Sequence, residues 1–361
     1  MPIKILHITD FRNLVAIEME SSHGLNILCG DNGSGKTSLL EAIHYLSLGR
    51  SFRSATPARL IRQTTEKFSL FSQLLIDSER QLPVGLERDR SGSTRIRIAE
   101  KEAESIVELA SLLPVRIIHS QSHQLFESGP HFRRKYLDWG LFYHFEAFLP
   151  CWRQFERVLK QRNALLRSQR PKRELEGWTN ELIKYGTELD HLRRDYIRML
   201  TPYIKECTDA LLSMPNFTLH YQPGWNETLD YATVLAHSSA EEFRFGHTLF
   251  GPHRADLEVK SSGVAVKHFL SRGQQKLLIC AMIIAQGMLL AKLANKRLIY
   301  LVDDLPSELD FQSRHKLIAL LAKQQTQVFI TAVESKTIVD VNDKLDVPMK
   351  VFHVEQGRVK S

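Results

Sequence analysis

Apolar and polar residues alternate through residues 2–9 and again through 14–20, the period of two expected of a half-buried hairpin. Asp10-Phe11-Arg12-Asn13 supplies its turn. A short unbroken apolar run, Leu25–Cys29, predicts a buried strand. From Ser38 to Leu48 the period becomes helical and stops near Gly49. Residues 68–76, 82–88 and 93–98 read as three more strands of an antiparallel layer, and Val115–Ile118 as a further one. After Gly129-Pro130 the pattern is helical almost throughout residues 131–213, as in Leu182, Tyr185, Leu189, Leu192, Tyr196 and Leu200. Breaks are expected near Pro150, Pro171 and Pro202. Heptads are not sustained, which argues against a long coiled coil. From Gly246 the character changes back. A hairpin is expected over 256–260 and 264–269, then a strongly apolar helix after Lys276 and a buried strand from Arg297 to Val302. A helix from about Gln312 and a strand Gln327–Thr331 follow.

The apolar fraction of 43% and charged fraction of 25% are those of a globular rather than a disordered chain. The net charge of +7 leans toward a polyanionic partner. Four scattered cysteines form no CxxC pair, which speaks against a zinc site or a disulfide framework and for a reducing compartment. No signal-peptide pattern opens the chain, and the run Leu277–Ala291, interrupted by Gln286 and Gly287, is too short to span a bilayer. A cytoplasmic protein without a membrane partner is expected.

Between the first buried strand and the first helix stands Gly30-Asp31-Asn32-Gly33-Ser34-Gly35-Lys36-Thr37. Its spacing is that of a phosphate-binding loop, in the strand–loop–helix context the loop requires. Small residues let backbone N–H groups converge on phosphates, and the helix N-terminus, at Ser38, adds positive potential. Lys36 would neutralise the outer phosphates of ATP, and the Thr37 hydroxyl would ligate Mg²⁺. Far downstream, Leu298–Val302 empties two carboxylates, Asp303 and Asp304, at a strand end, where open α/β sheets bind ligands. Asp303 would complete the metal site, and Asp304 would polarise the attacking water. Arg12 and Asn13 are placed near the nucleotide by the hairpin turn. Arg50, Arg53, Arg59 and Arg62, with no acid among residues 50–62, could touch nucleotide or DNA.

Leu270-Ser271-Arg272-Gly273-Gln274 resembles the signature of ABC-type ATPases, and a serine and glycine at a helix N-terminus make a second anion site. The resemblance implies that Ser271, Arg272, Gly273 and Gln274, with Asp310 of Ser307-Glu308-Leu309-Asp310, meet nucleotide bound to a second protomer. It also implies a homodimer sandwiching two ATP molecules. Gln121 falls where such ATPases place a magnesium-sensing glutamine. Ala332 stands where they carry a switch histidine, and Asp304 where transporters carry a glutamate. Slow, DNA-stimulated hydrolysis is therefore expected.

The assembled motifs resemble the bacterial RecF family, recombination-mediator ATPases related to SMC proteins. Beside the ATPase motifs, the likeness rests on Leu48-Gly49-Arg50-Ser51-Phe52-Arg53, on Pro130-His131-Phe132-Arg133-Arg134-Lys135-Tyr136-Leu137-Asp138 and on Gly251-Pro252-His253-Arg254. The resemblance implies an α/β fold: an ABC-type P-loop ATPase head, with a mixed sheet and an antiparallel layer, carrying a helical insertion lobe. The head would comprise residues 1–125 and 246–361 and the lobe 126–245. It further implies ATP-dependent dimerisation on double-stranded DNA near gaps and on single strands. Work with RecR and RecO to load RecA is implied too. Arg133, Arg134 and Arg53 are candidate DNA contacts, as is the stripe 153–173, with eight Arg/Lys against Glu156. The alternatives are the cytosolic ATPase of an ABC transporter and an architectural SMC-type clamp.

Overall fold

The computed structural model describes residues 1–77, 80–169, 172–304, 309–335, 338–339 and 347–360. The chain divides into two compact units, Met1–Ser122 with Lys276–Ser361, and His123–Gln275.

The first unit holds two sheets. The alternating hairpin forms as β1 (Ile3–Phe11) and β2 (Leu14–Glu20). It is extended by β4 (Lys67–Leu75), β5 (Gln81–Asp89), β6 (Thr94–Ile98) and β7 (Lys101–Glu102) into an antiparallel sheet of order β2-β1-β4-β5-β6-β7. The continuous apolar runs make the other sheet, as fully buried strands do. Here β3 (Leu25–Cys29), β8 (Val115–Ile118), β12 (Ile299–Val302) and β13 (Val328–Ala332) lie parallel in the order β3-β13-β12-β8. A C-terminal hairpin that the sequence reading missed, β14 (Met349–Glu355) and β15 (Arg358–Lys360), adds β14 parallel to β3.

Helix α1 (Lys36–Leu48) is buried from Ser38 to Ser47, its side chains meeting residues of both sheets in one core. Phe11, Tyr45 and Phe68 pack edge to face at its centre. The sheets are also tied by a polar stitch. The Gln327 amide donates to Ile3 O and Ser22 O, both at 2.7 Å, and accepts from Ile3 N at 2.8 Å. A short helix α2 (Ile106–Leu112), capped by Ser105 and Glu108, completes this half before β8.

In the second unit the helical pattern becomes α3 (Gln124–Glu127), α4 (Pro130–His144), α5 (Phe148–Arg167), α6 (Lys172–Leu211) and α7 (Tyr231–Phe245). Pro202 does not break the chain as expected: α6 runs through it for 40 residues. Proline removes one backbone donor, but Leu200, Ile204 and Cys207 on either side are wholly buried, and that packing outweighs one lost bond. The expected hairpin is also shorter than predicted. Strand β10 (Asp256–Ser261) is followed by only two strand residues, β11 (Val264–Ala265), before a 3₁₀ turn at Val266–His268. The main partner of β10 is an unpredicted strand, β9 (Phe217–Gln222), in antiparallel register from Asp256↔Gln222 to Ser261↔Phe217.

The apolar helix, α8 (Arg272–Ala294), is 23 residues long, longer than the apolar run and long enough by length to cross a membrane. Its central residues, Leu277 to Ala285, are buried within the fold, and Tyr300 Oη donates to Ile284 O at 3.2 Å. A helix greasy on all sides is what a buried core position requires.

Candidate functional site

The loop between β3 and α1 has the backbone its glycines predict. Gly30 sits at φ 146°, and a Cβ there would lie 2.2 Å from Val354 O on β14, so only glycine is accommodated. Gly35 caps α1 at φ 119°, against Leu14 and Asn13. Gly357, in the β14–β15 turn, donates to Ser34 O at 2.9 Å and holds the loop from outside. Within this frame Lys36 Nζ donates to Gly30 O at 2.6 Å and Asp31 O at 2.8 Å, so the ammonium lies across its own loop.

Thr37, in the first turn of α1, meets the end of β12 across 266 residues: its hydroxyl donates to Asp303 Oδ1 at 2.9 Å. Thr331, at the end of the adjacent β13, donates to the same oxygen at 2.9 Å. It accepts from the Asp304 N–H at 2.7 Å. Parallel pairing of β12 with β13 and of β13 with β3 is what aligns these strand ends. Asp304 itself adopts φ 53°, turning sharply out of the strand. Ser38 donates to Asn13 Oδ1 at 2.8 Å, and Asn13 reaches Gly33 O at 3.3 Å, so the β1–β2 turn braces the loop.

Arg12 is held by a residue the sequence reading passed over. Glu41, fully buried on α1, accepts from Arg12 Nε at 2.9 Å and Nη2 at 2.7 Å. Ser51 Oγ and, at 3.4 Å, Arg53 Nη1 share the same carboxylate. The signal was present: one acid inside an apolar helix, followed by an arginine run with no acid of its own. Charge buried to this degree requires a partner. Arg53 is thus an ion-pair partner of Glu41, and it faces the cavity described next.

A cavity of about 870 Å³ joins these groups. Lys36, Thr37, Asp303 and Asp304 line it, and Thr331 closes its floor. Arg12, Arg53, Arg59 and Arg62 also line it and make it strongly positive. Gln63 and Thr64 are part of the lining, and neither was singled out from the sequence. The remaining loop positions Asn32, Gly33 and Gly35 line it too, whereas Gly30, Asp31 and Ser34 do not. Gln121 does not line the cavity. It is exposed in a 3₁₀ turn, Ser120–His123, whose Ser120 does line it.

The signature serine performs a local task. Ser271 Oγ accepts from the Gln274 N–H at 3.3 Å, and the Gln274 side chain accepts from the Ser271 N–H at 3.0 Å, a reciprocal cap on α8. Arg272 is exposed beside them, and a Cβ on Gly273 would meet nothing within 4 Å. Asp310 caps the helix Phe311–Lys323, accepting from Ser313 N at 2.9 Å, which holds its carboxyl below the usual range. Ser307 and Glu308 lie outside the described residues.

Arg133 and Arg134 are corrected as surface cations. Arg133 grips Asp256 through Nε at 2.5 Å and Nη2 at 3.1 Å, and reaches Leu125 O and Ser128 O. Arg134 donates to Ala255 O at 2.8 Å. Asp138, which ends the same motif, accepts from buried Arg193 at 2.9 Å. The pattern fastens α4 to β10 and α6, with Arg133 and Asp138 each in an ion pair within the unit.

The architecture is that of an ABC-type, SMC-like P-loop ATPase head. The family model described as the RecF/RecN/SMC N terminal domain matches residues 2–360. The DNA replication and repair protein RecF of Shewanella loihica is 40% identical over 99% of both chains. Its namesake in Cellvibrio japonicus is also 40% identical, again over 99% of both. The chain belongs to the RecF family. A solved structure of the recombination mediator protein RecF-ATP in the RecFOR pathway shares the fold with a TM-score of 0.86 at 24% identity, covering 99% of this chain and 96% of that one. An Smc head bound to the C-winged helix domain of ScpA, at 14% identity, covering 100% and 96%, gives a TM-score of 0.61.

Proposed function

We propose that this chain is an ATP-dependent DNA-binding protein of recombinational repair and replication restart. It dimerises on ATP at gapped or junction DNA and acts with RecR and RecO to aid RecA loading. The observation that carries the nucleotide part is the apposition of Thr37 and Asp303 beside Lys36, at the carboxyl ends of parallel strands. The names of the full-length relatives support the repair role.

The donor set suits Mg²⁺. Among the described residues no group of three His, Cys, Asp or Glu side chains converges on a metal position. A hydroxyl and a carboxylate oxygen are what an ion that keeps several waters and phosphate ligands uses. Thr37 and Asp303 would hold it, and when bound it would neutralise charge on the phosphates. Lys36 would exchange its bonds to Gly30 O and Asp31 O for phosphate oxygens, so the loop carbonyls hold its ammonium at the loop until the ligand arrives. Arg12, fixed by Glu41, presents a guanidinium toward the same space. Asp304 orients the attacking water. Ala332 stands where a histidine would relay a proton, so turnover is slow and the nucleotide acts as a switch. Ser271, Arg272, Gly273 and Gln274 at the tip of α8, with Asp310, complete the site of a second copy.

Sedimentation beside a gel shift on gapped duplex, each with and without ATP, tests this. ATP should convert monomer to dimer and raise DNA affinity together. A monomer that hydrolyses ATP at full rate would refute the reading.

A further inference from the structure

We infer that the outward face of α5 is a rail for duplex DNA, formed by Arg153, Arg157, Lys160 and Arg167. The inference rests on the proposal that the protein binds DNA, and adds which surface does so.

Several cations of the second unit are paired within it. Arg133, Arg162, Arg193 and Arg194 each hold a carboxylate, Asp256, Glu242, Asp138 and Asp190 respectively. The four on α5 are exposed and make no ion pair among the described residues. Their spacing of four, three and seven residues puts them on one helical face. The opposite face, with Cys151, Phe155, Val158 and Leu166, is buried in the unit.

This arrangement is not the one a merely solvated helix favours. Arg153 and Arg157 are like charges four apart, and Arg157 and Lys160 three apart. Such pairs destabilise a helix by about 0.2–0.5 kcal/mol each; Glu156 is spaced to offset them, three residues after Arg153 and four before Lys160, yet it closes an ion pair with neither among the described residues. Glu156, the one acid on α5, lies within electrostatic range of Asp138 and Arg193, and burial raises its pKa. A row of exposed cations that closes no ion pair among the described residues suits an external polyanion, which would supply the opposing charge.

The dimensions point to a duplex. At about 1.5 Å per residue the row is about 21 Å long. Duplex DNA presents a negative charge about every 1.7 Å along its axis, so several phosphates lie within reach of the four cations. A protein partner would want an aromatic or aliphatic anchor at the centre, but the exposed positions among the cations on this face are Glu156, Gln161 and Ala164. A membrane surface would need the helix's apolar side, which is already buried.

The test is fluorescence anisotropy of the full chain with ATP and Mg²⁺ on labelled gapped duplex, titrated from 50 to 200 mM salt. The triple variant Arg153→Gln/Arg157→Gln/Lys160→Gln removes charge while keeping good helix formers. The slope of log affinity against log salt should flatten by about 2.7, or 0.9 per lost phosphate contact, with about 500-fold weaker binding near 0.1 M salt. ATP binding and the helical circular dichroism signal should be unchanged. A matched control, Lys184→Gln/Arg198→Gln/Lys205→Gln, removes three exposed cations from α6 and should change the slope by less than one. Equal losses in both variants, or a triple variant with the parental slope, would overturn the inference. A parent that fails to bind duplex at all would overturn it together with the DNA-binding proposal. Loss of an acidic-protein interaction with DNA binding intact would reassign the face and likewise overturn it.

Discussion

Replacing Glu41 by alanine gives the sharpest test of how the cavity wall is built. Glu41 is fully buried, and its carboxylate is shared by Arg12, Ser51 and Arg53. Arg12 is 21% exposed and doubly bonded to it; Arg53 is 45% exposed and 3.4 Å away. The exposed member contributes a few tenths of a kcal/mol at most, after screening by water. The Arg12 pair dominates. Breaking a buried pair by removing one partner costs about 3–5 kcal/mol, and the partial exposure of Arg12 places this case near about 3 kcal/mol. For a folding unit of this size that is a fall in Tm of about 6–12 °C. Differential scanning calorimetry of the first unit's transition reads it directly. Glu41→Gln, which keeps a neutral acceptor, should lose about half as much. A double variant, Glu41→Leu/Arg12→Met, should regain most of the loss, because it strands no charge. A Glu41→Ala protein within 1 °C of the parent, or full additivity between Glu41→Ala and Arg12→Ala, would refute this reasoning.

Lys36→Ala should abolish ATP-dependent dimers in light scattering without altering the fold, because the lysine bonds only loop carbonyls in the free protein. Ser271→Arg should leave ATP binding to the monomer intact yet prevent dimer closure; dimers that persist would remove the shared-site model. Asp303→Asn keeps a hydrogen-bond acceptor for Thr37 and Thr331 but loses the charge. Fluorescent ATP binding should then require at least about tenfold more Mg²⁺, with Tm little changed. Burial lowers the pKa of His44 to about 4, and its ring is bonded to Arg50 O at 3.0 Å. The unfolded chain takes up that proton near pH 6.5 while the native state does not, so stability falls as pH drops from about 6.5 to 4. The loss totals about 3 kcal/mol, and urea titrations of a His44→Gln variant should show a flatter acid limb.

The phosphate loop was legible because its signal is local: glycines, a lysine and a threonine at fixed spacing between a strand and a helix. The paired aspartates, weak as an apolar run ending in acid alone, were legible because the phosphate loop had already called for a second metal ligand at a strand end. What stayed hidden were residues whose role is a partner far away in sequence. Glu41 meets Arg12 across 29 residues, and Arg133 meets Asp256 across 123. From the sequence Arg133 looked like a surface cation, and its carboxylate was found only in the fold. Strand β9 was missed because its alternation, Phe217 to Gln222, is short and half exposed until β10 pairs with it.

The chain by itself determined that a phosphate-cradling loop, a two-carboxylate strand end and a capped serine–glycine helix tip occur in that order, since each depends on neighbours within one turn or strand. Only the tertiary structure decided that Thr37 and Thr331 share Asp303, that Glu41 anchors Arg12, and that Arg133 and Arg162 are paired inside while Arg153, Arg157 and Arg167 face water. Pairing of charges is a matter of distance and burial, and neither is a property of sequence separation.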